Sequence, residues 1–182
     1  MLNVSSGEIS ETSSGVLKIS SPNPRAVTRT GSPQHAVLRF RYLGPSEKTR
    51  RLASGLLRRQ IGLKLEAEDS CNLIYIMYRI SPSPALSVQL KHNPGMHSHS
   101  QCGNKGYSSL LEKTLPAIND NSLHEIAFER DGELLNITVD GAVKASLVLP
   151  PEALELHGAI GLRSDNGNFE VELFAGTLPD IN

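Results

Sequence analysis

Three groups of residues in this 182-residue chain have the types and spacing to do chemistry. Glu66 and Glu68 lie two apart, so on an extended strand both carboxylates leave the same face. Such a pair can act as acid and base across a glycosidic bond, which makes Glu66 and Glu68 the catalytic candidates. The simpler reading is a solvated face running into a turn at Asp69-Ser70. The second group is Tyr75, Met77 and Arg79, which alternate with Ile74, Ile76, Tyr78 and Ile80. If the isoleucines and Tyr78 face a core, the other three line the opposite face. There Tyr75 can stack on a sugar, and Arg79 can meet carboxylates or hydroxyls. Gln89 and Lys91 extend that groove if their strand is the neighbour; the alternative is a covered central strand with Arg79 paired to an acid. The third group is His92, His97, His99 and Cys102, crowded between Lys91 and Tyr107.

Imidazoles and a thiolate can hold zinc in tetrahedral geometry, but this spacing matches no established zinc motif, and no metal is expected. Cys102 has a better use. A bridge from Cys71 to Cys102 staples the loop onto the central strand, worth about 3 kcal/mol through chain entropy. The loop groups left to hydrogen-bond or stack against a ligand are then His97, His99, Asn104 and Tyr107. One cysteine pair does not fix the compartment, although a bridge suits an exported, periplasmic or surface protein.

Other chemistries find no footing. There is no Gly-x-Ser-x-Gly elbow and no Gly-rich phosphate loop, and no cofactor is expected. Lys plus Arg is 18 against 19 Asp plus Glu, a balance unsuited to a protein built to hold nucleic acid. No apolar run approaches a membrane span, and the start has neither the basic nor the apolar region of a signal peptide. The basic stretch Lys48–Arg59 can contact an anionic polymer, or simply be a solvated loop. The chain has no Trp, which counts against ordinary sugar stacking.

The elements that must position these groups are strands. Apolar residues recur with period two in Ile61–Glu68, Leu123–Arg130, Leu134–Val139 and Phe169–Leu173, and no segment of comparable length has helical spacing. Asp131-Gly132, Asp140-Gly141 and Asn166-Gly167 are hairpin dipeptides that tolerate positive φ. They predict a meander over Leu123–Arg130, Leu134–Val139 and Val143–Leu149, then a hairpin of Ala159–Ser164 and Asn168–Phe174. Earlier strands are predicted at Val16–Ser20, Ala36–Tyr42, Gln60–Glu68, Asn72–Ile80 and Leu86–His92, with Val27 in a short one. Segments 44–59 and 92–107 are predicted long loops, Pro150–Leu156 a short turn of helix, and 1–14 a loosely held start. The whole chain, 1–182, is one all-β domain, a two-sheet antiparallel jelly-roll sandwich.

The stretch Leu123 to Gly141, with its Asp-Gly turns, resembles concanavalin A-like jelly rolls of the laminin-G type. Gly158-Ala159-Ile160-Gly161-Leu162 followed by Phe169–Leu173 is similar to the closing strands of that superfamily. The superfamily includes lectins, glucanases, polysaccharide lyases, domains related to 3-keto-glycoside hydrolases, and adhesion modules. The resemblance implies two curved sheets with a ligand on the concave sheet or at a rim of loops. Glu66-Ala67-Glu68-Asp69 does not reproduce the glucanase carboxylate spacing. The expectation is therefore a carbohydrate- or polysaccharide-binding module that is not an enzyme. The alternatives are a glycoside hydrolase or lyase of the same superfamily, and a protein-adhesion module. The sequence carries no signal for oligomeric state.

Overall fold

The structure, a computed structural model, describes residues 2–28, 31 and 33–176. In chain order its strands are β1 (Leu2–Ser6), β2 (Ile9–Glu11), β3 (Leu17–Ile19), β4 (Arg25–Thr28), β5 (His35–Pro45), β6 (Arg59–Ala67) and β7 (Leu73–Ser81). There follow β8 (Ala85–Lys91), β9 (Tyr107–Thr114), β10 (Leu123–Asp131), β11 (Leu134–Val139), β12 (Ala142–Val148), β13 (Ala159–Asp165) and β14 (Gly167–Gly176). Two one-turn helices, α1 (His99–Cys102) and α2 (Pro151–Leu154), interrupt them. The strands form two antiparallel seven-stranded sheets, ordered β1-β4-β13-β6-β7-β8-β9 and β12-β11-β10-β5-β14-β3-β2. This is the expected jelly-roll sandwich.

Alternation builds the core. Ile61, Leu63 and Leu65 of β6, Ile74, Ile76 and Tyr78 of β7, and Leu86, Val88 and Leu90 of β8 point inward from the first sheet. Leu38, Phe40, Ile126, Phe128, Ile137, Phe169 and Val171 meet them from the second. Each such side chain contributes about 1.5–3 kcal/mol by leaving water. Phe40 joins the layers, lying edge-on to Tyr78 with centroids 5.9 Å apart and to Phe169 at 6.2 Å. The Tyr78 hydroxyl donates to Pro116 O at 3.0 Å, and burial, aided by Asp140, pushes its pKa up to about 12.

The turns follow from the dipeptides: Asp140 and Gly141 both have positive φ (53° and 74°), as a tight hairpin between β11 and β12 requires. Between β13 and β14 the buried Asn166 takes φ 56°. Its side chain accepts from Arg50 N at 2.6 Å and donates to Arg50 O and Arg58 O, each at 2.8 Å. That one amide ties the basic 44–59 loop, which forms no helix, to the end of the sandwich.

Two expectations are corrected. Residues 2–6 and 9–11 are not loose but form β1 and β2, short edge strands whose polar residues hide the period of two. Residues 107–114, where no strand was expected, form β9 against β8. Its register steps between Leu111 and Ser109, so Leu110 is an extra residue that breaks the alternation.

Candidate functional site

On the face of the first sheet turned away from the core, Gln60, Lys64, Tyr75, Met77, Ser87 and Lys91 are nearly buried, and Ala67, Leu73, Tyr75 and Met77 form a second small apolar cluster. The strand registers fix what lies beside what. One row across the sheet runs Leu73–Lys91–Tyr107. The next runs Val27–Gly161–Lys64–Tyr75–Gln89–Ser109. A third is Arg25–Arg163–Gly62–Met77–Ser87–Glu112, and a fourth Asp165–Gln60–Arg79–Ala85–Thr114. Five cations on these rows, Lys91, Lys64, Arg25, Arg163 and Arg79, face two carboxylates, Asp165 and Glu112. Arg58 of the basic loop adds charge at the fourth row, beside Arg79, where burial and then that neighbour lower its pKa.

These groups form a connected array. Asp165 is fully buried and accepts from Arg25 Nη2 at 2.7 Å, Gln60 Nε2 at 2.7 Å and Arg163 Nε at 2.9 Å. Burial alone would raise its pKa, but Arg163 and then Arg25 more than offset that and hold the carboxyl below its usual range. The Arg163 guanidinium carbon lies 4.8 Å from the Tyr75 ring centroid. Tyr75 lies nearly parallel to Tyr107, with centroids 6.3 Å apart, and Lys91 Nζ stands 5.1 Å from the Tyr107 centroid. Burial, with Tyr75 close by, pushes the Tyr107 phenol up to about 12. Lys64 sits between Gly161 and Tyr75 with only 6% of its surface exposed. Burial first, then Arg25 and Arg163, lower its pKa to about 8.

The structure brings Tyr75, Lys91 and Tyr107 together, sets Arg79 at the far end of the same face, and leaves the remaining candidates elsewhere. Tyr75 is 6% exposed and Tyr107 37%, so Tyr107 presents the accessible ring and Tyr75 supports it. Arg79 does lie on this face, but Nε donates to Ser83 O at 2.7 Å and Nη2 pairs with Glu112 at 2.8 Å. Lys91 donates to Ser70 O and Gly103 O, each at 3.0 Å, bracing the stapled loop. In that loop Cys71 and Cys102 are disulfide-bonded, with Cα atoms 5.9 Å apart. His97 pairs with Asp69 at 2.8 Å, while His99 and Asn104 are exposed on the loop surface. Among the described residues no group of three or more His, Cys, Asp or Glu is arranged to hold a metal ion.

Glu66 and Glu68 depart from the expected pair. Glu66 takes φ 48°, where the β6 register to β13 shifts, so simple alternation stops there. Its carboxylate reaches Arg130 of the second sheet at 2.6 Å and accepts from Gly158 N at 3.1 Å. Glu68 accepts from His157 N at 3.0 Å. Both carboxylates fasten the chain entering β13. A cleft of about 860 Å³ lies apart from the array, where Glu8, Lys18, Leu43, Lys48 and Asn168 border β3 and β14. The array, where two tyrosine rings and several cations meet, is the candidate site rather than that volume.

Sequence reasoning missed Lys64, Arg163, Arg25, Asp165 and Gln60. Their one local signal is period two, with Arg163 and Asp165 sharing a face of β13 and Gln60 and Lys64 a face of β6.

No protein-family model matches the chain, and no curated protein does. Solved structures do. The carbohydrate binding module CBM66 from Bacillus subtilis is similar at TM-score 0.67 and 12% identity, covering 97% of this chain and 93% of that one. The Emp47p carbohydrate recognition domain gives 0.61 and 15%, over 96% and 88%. A Bacillus licheniformis β-glucanase gives 0.56 and 14%, over 94% and 82%. The fold is thus concanavalin A-like along nearly the whole chain. No helix among the described residues is long and apolar enough to cross a membrane.

Proposed function

We propose that the protein is a non-catalytic glycan-binding module whose ligand lies along the outer face of the first sheet. The observation that carries this reading is the array of Arg163, Tyr75, Tyr107 and Lys91, in which an accessible ring is braced by a second ring and two cations. Tyr107 offers its face to a pyranose, and Gln89 and Ser109 supply amide and hydroxyl groups along the adjacent row. The carbohydrate-binding titles of two fold neighbours support the reading by analogy. The β-glucanase among the fold neighbours gives a hydrolase reading the same analogy, but Glu66, Glu68, Asp165 and Glu112 are each already engaged, which favours the binding reading. Export to an oxidising compartment fits the disulfide, and the Leu123–Gly141 stretch of β10 and β11, with the closing strands β13 and β14, is what resembles laminin-G-type modules.

The test is native affinity electrophoresis through gels holding neutral and acidic polysaccharides, with reducing ends and unsaturated products assayed in the same samples. Retardation without product, weakened in Tyr107→Ala, is the expected result. Product formation would replace this reading with the enzyme one, and no retardation by any polysaccharide would overturn it.

A further inference from the structure

Lys64 is an unusual residue on this face. Only 6% of its surface is exposed, and its ammonium, which keeps a narrow contact with solvent, makes no hydrogen bond or ion pair among the described residues. A buried charge in a folded protein is ordinarily paired, because water has been removed and nothing else compensates it. Its charged neighbours, Arg25 on β4 and Arg163 on β13, are both cations. The one carboxylate between those two, Asp165, is already shared by both guanidiniums and Gln60. Tyr75 flanks Lys64 on β7, and Gly161 on β13 places no side chain beside it. An ammonium with three donors therefore stands in the middle of the sheet without an anion.

We infer that the ligand is an acidic glycan, and that a sugar carboxylate or sulfate takes the place of the missing counter-ion on Lys64. This rests on the glycan reading above and narrows it. A neutral hydroxyl would satisfy one donor and leave the charge uncompensated, whereas an anionic oxygen answers both. The amide of Gln89 and the ring of Tyr107, two and three strands along the sheet from Lys64, suit further sugar residues of a chain rather than a bare inorganic anion. The lowered pKa of Lys64 agrees with a site short of negative charge.

The test is titration calorimetry of the intact protein and of Lys64→Met with matched oligosaccharides. One arm holds oligogalacturonate, oligomannuronate and oligoguluronate beside their methyl-esterified forms. The other holds sulfated galactan oligomers beside the desulfated ones. Acidic members are expected to bind at least tenfold more tightly than their neutralised partners, and Lys64→Met to abolish that ratio; the arm that responds identifies carboxylate or sulfate. Equal binding of acidic and neutral members overturns the acidic class while leaving the glycan reading standing. An acidic preference that survives in Lys64→Met places the anion elsewhere and overturns the assignment to Lys64. Binding by no member in either arm overturns both readings.

Discussion

Replacing Lys64 by methionine keeps an unbranched stem of similar length against Tyr75 and removes a nearly buried charge that has no hydrogen bond or ion pair among the described residues. The magnitude follows from the linkage between charge and folding. The Lys64 pKa falls from 10.5 to about 8 on folding, and each pKa unit is worth about 1.4 kcal/mol, so the charged lysine costs the fold about 3 kcal/mol at pH 7. Lys64→Met should therefore be more stable than the parent. At about 2–4 °C per kcal/mol for a domain of this size, the melting temperature rises by roughly 6 °C or more. The sign can be checked independently. Because the folded value lies below the unfolded one, the unfolded chain holds the extra proton between about pH 8 and 10.5, and the parent gains stability across that window. The variant has no such step, so its advantage should shrink to about 1 kcal/mol at pH 10. Calorimetric melting of both proteins at pH 7 and pH 10 reads both quantities. A variant that melts at or below the parent at pH 7, or an advantage that does not change with pH, would refute the reasoning.

Two further outcomes are expected. Cys71→Ser should lose about 3 kcal/mol under oxidising conditions and melt with the parent once both are reduced, since the bridge closes a separation of 31 residues; equal melting in oxidant would remove the staple. Asp165→Asn leaves the half-buried Arg25 and Arg163 side by side without their shared carboxylate, and should cost about 3 kcal/mol at pH 7 in urea unfolding. Because the Asp165 carboxyl is held below its usual range, its contribution is present above about pH 4 and is lost as pH falls through the folded value. The gap between parent and variant should narrow in acid, and a gap that stays constant would count against the triad.

The sandwich was legible because its signals are local. Side chains alternate along Leu63, Leu65, Ile74, Ile76 and Ile137, and the Asp140-Gly141 turn needs nothing beyond its own two residues. Strand β9 was hidden by the single extra residue Leu110, and Glu66 by a positive φ that no periodicity announces. The site was half legible for the same reason. Alternation sent Tyr75, Met77 and Arg79 to one face, and the structure keeps them there. What lies beside them is a matter of register between strands distant in sequence. Arg163 meets Tyr75 from a strand more than eighty positions away, and Lys64 is flanked by Gly161 only because β6 and β13 pair. Nothing in the neighbourhood of Lys64 in the chain says that its ammonium will be left alone.

Asn166 gives the basic loop a mechanical character. A loop of that length, hinged only at its ends, would swing freely, and its arginines would have to be gathered each time a polyanion arrived. Holding Arg50 and Arg58 by their backbone from one buried amide makes the loop a fixed extension of the β13–β14 hairpin. The backbone at Arg58 is then held at the end of the cationic rows, and the entropy of placing that stretch of loop is spent when the chain folds rather than when a ligand binds.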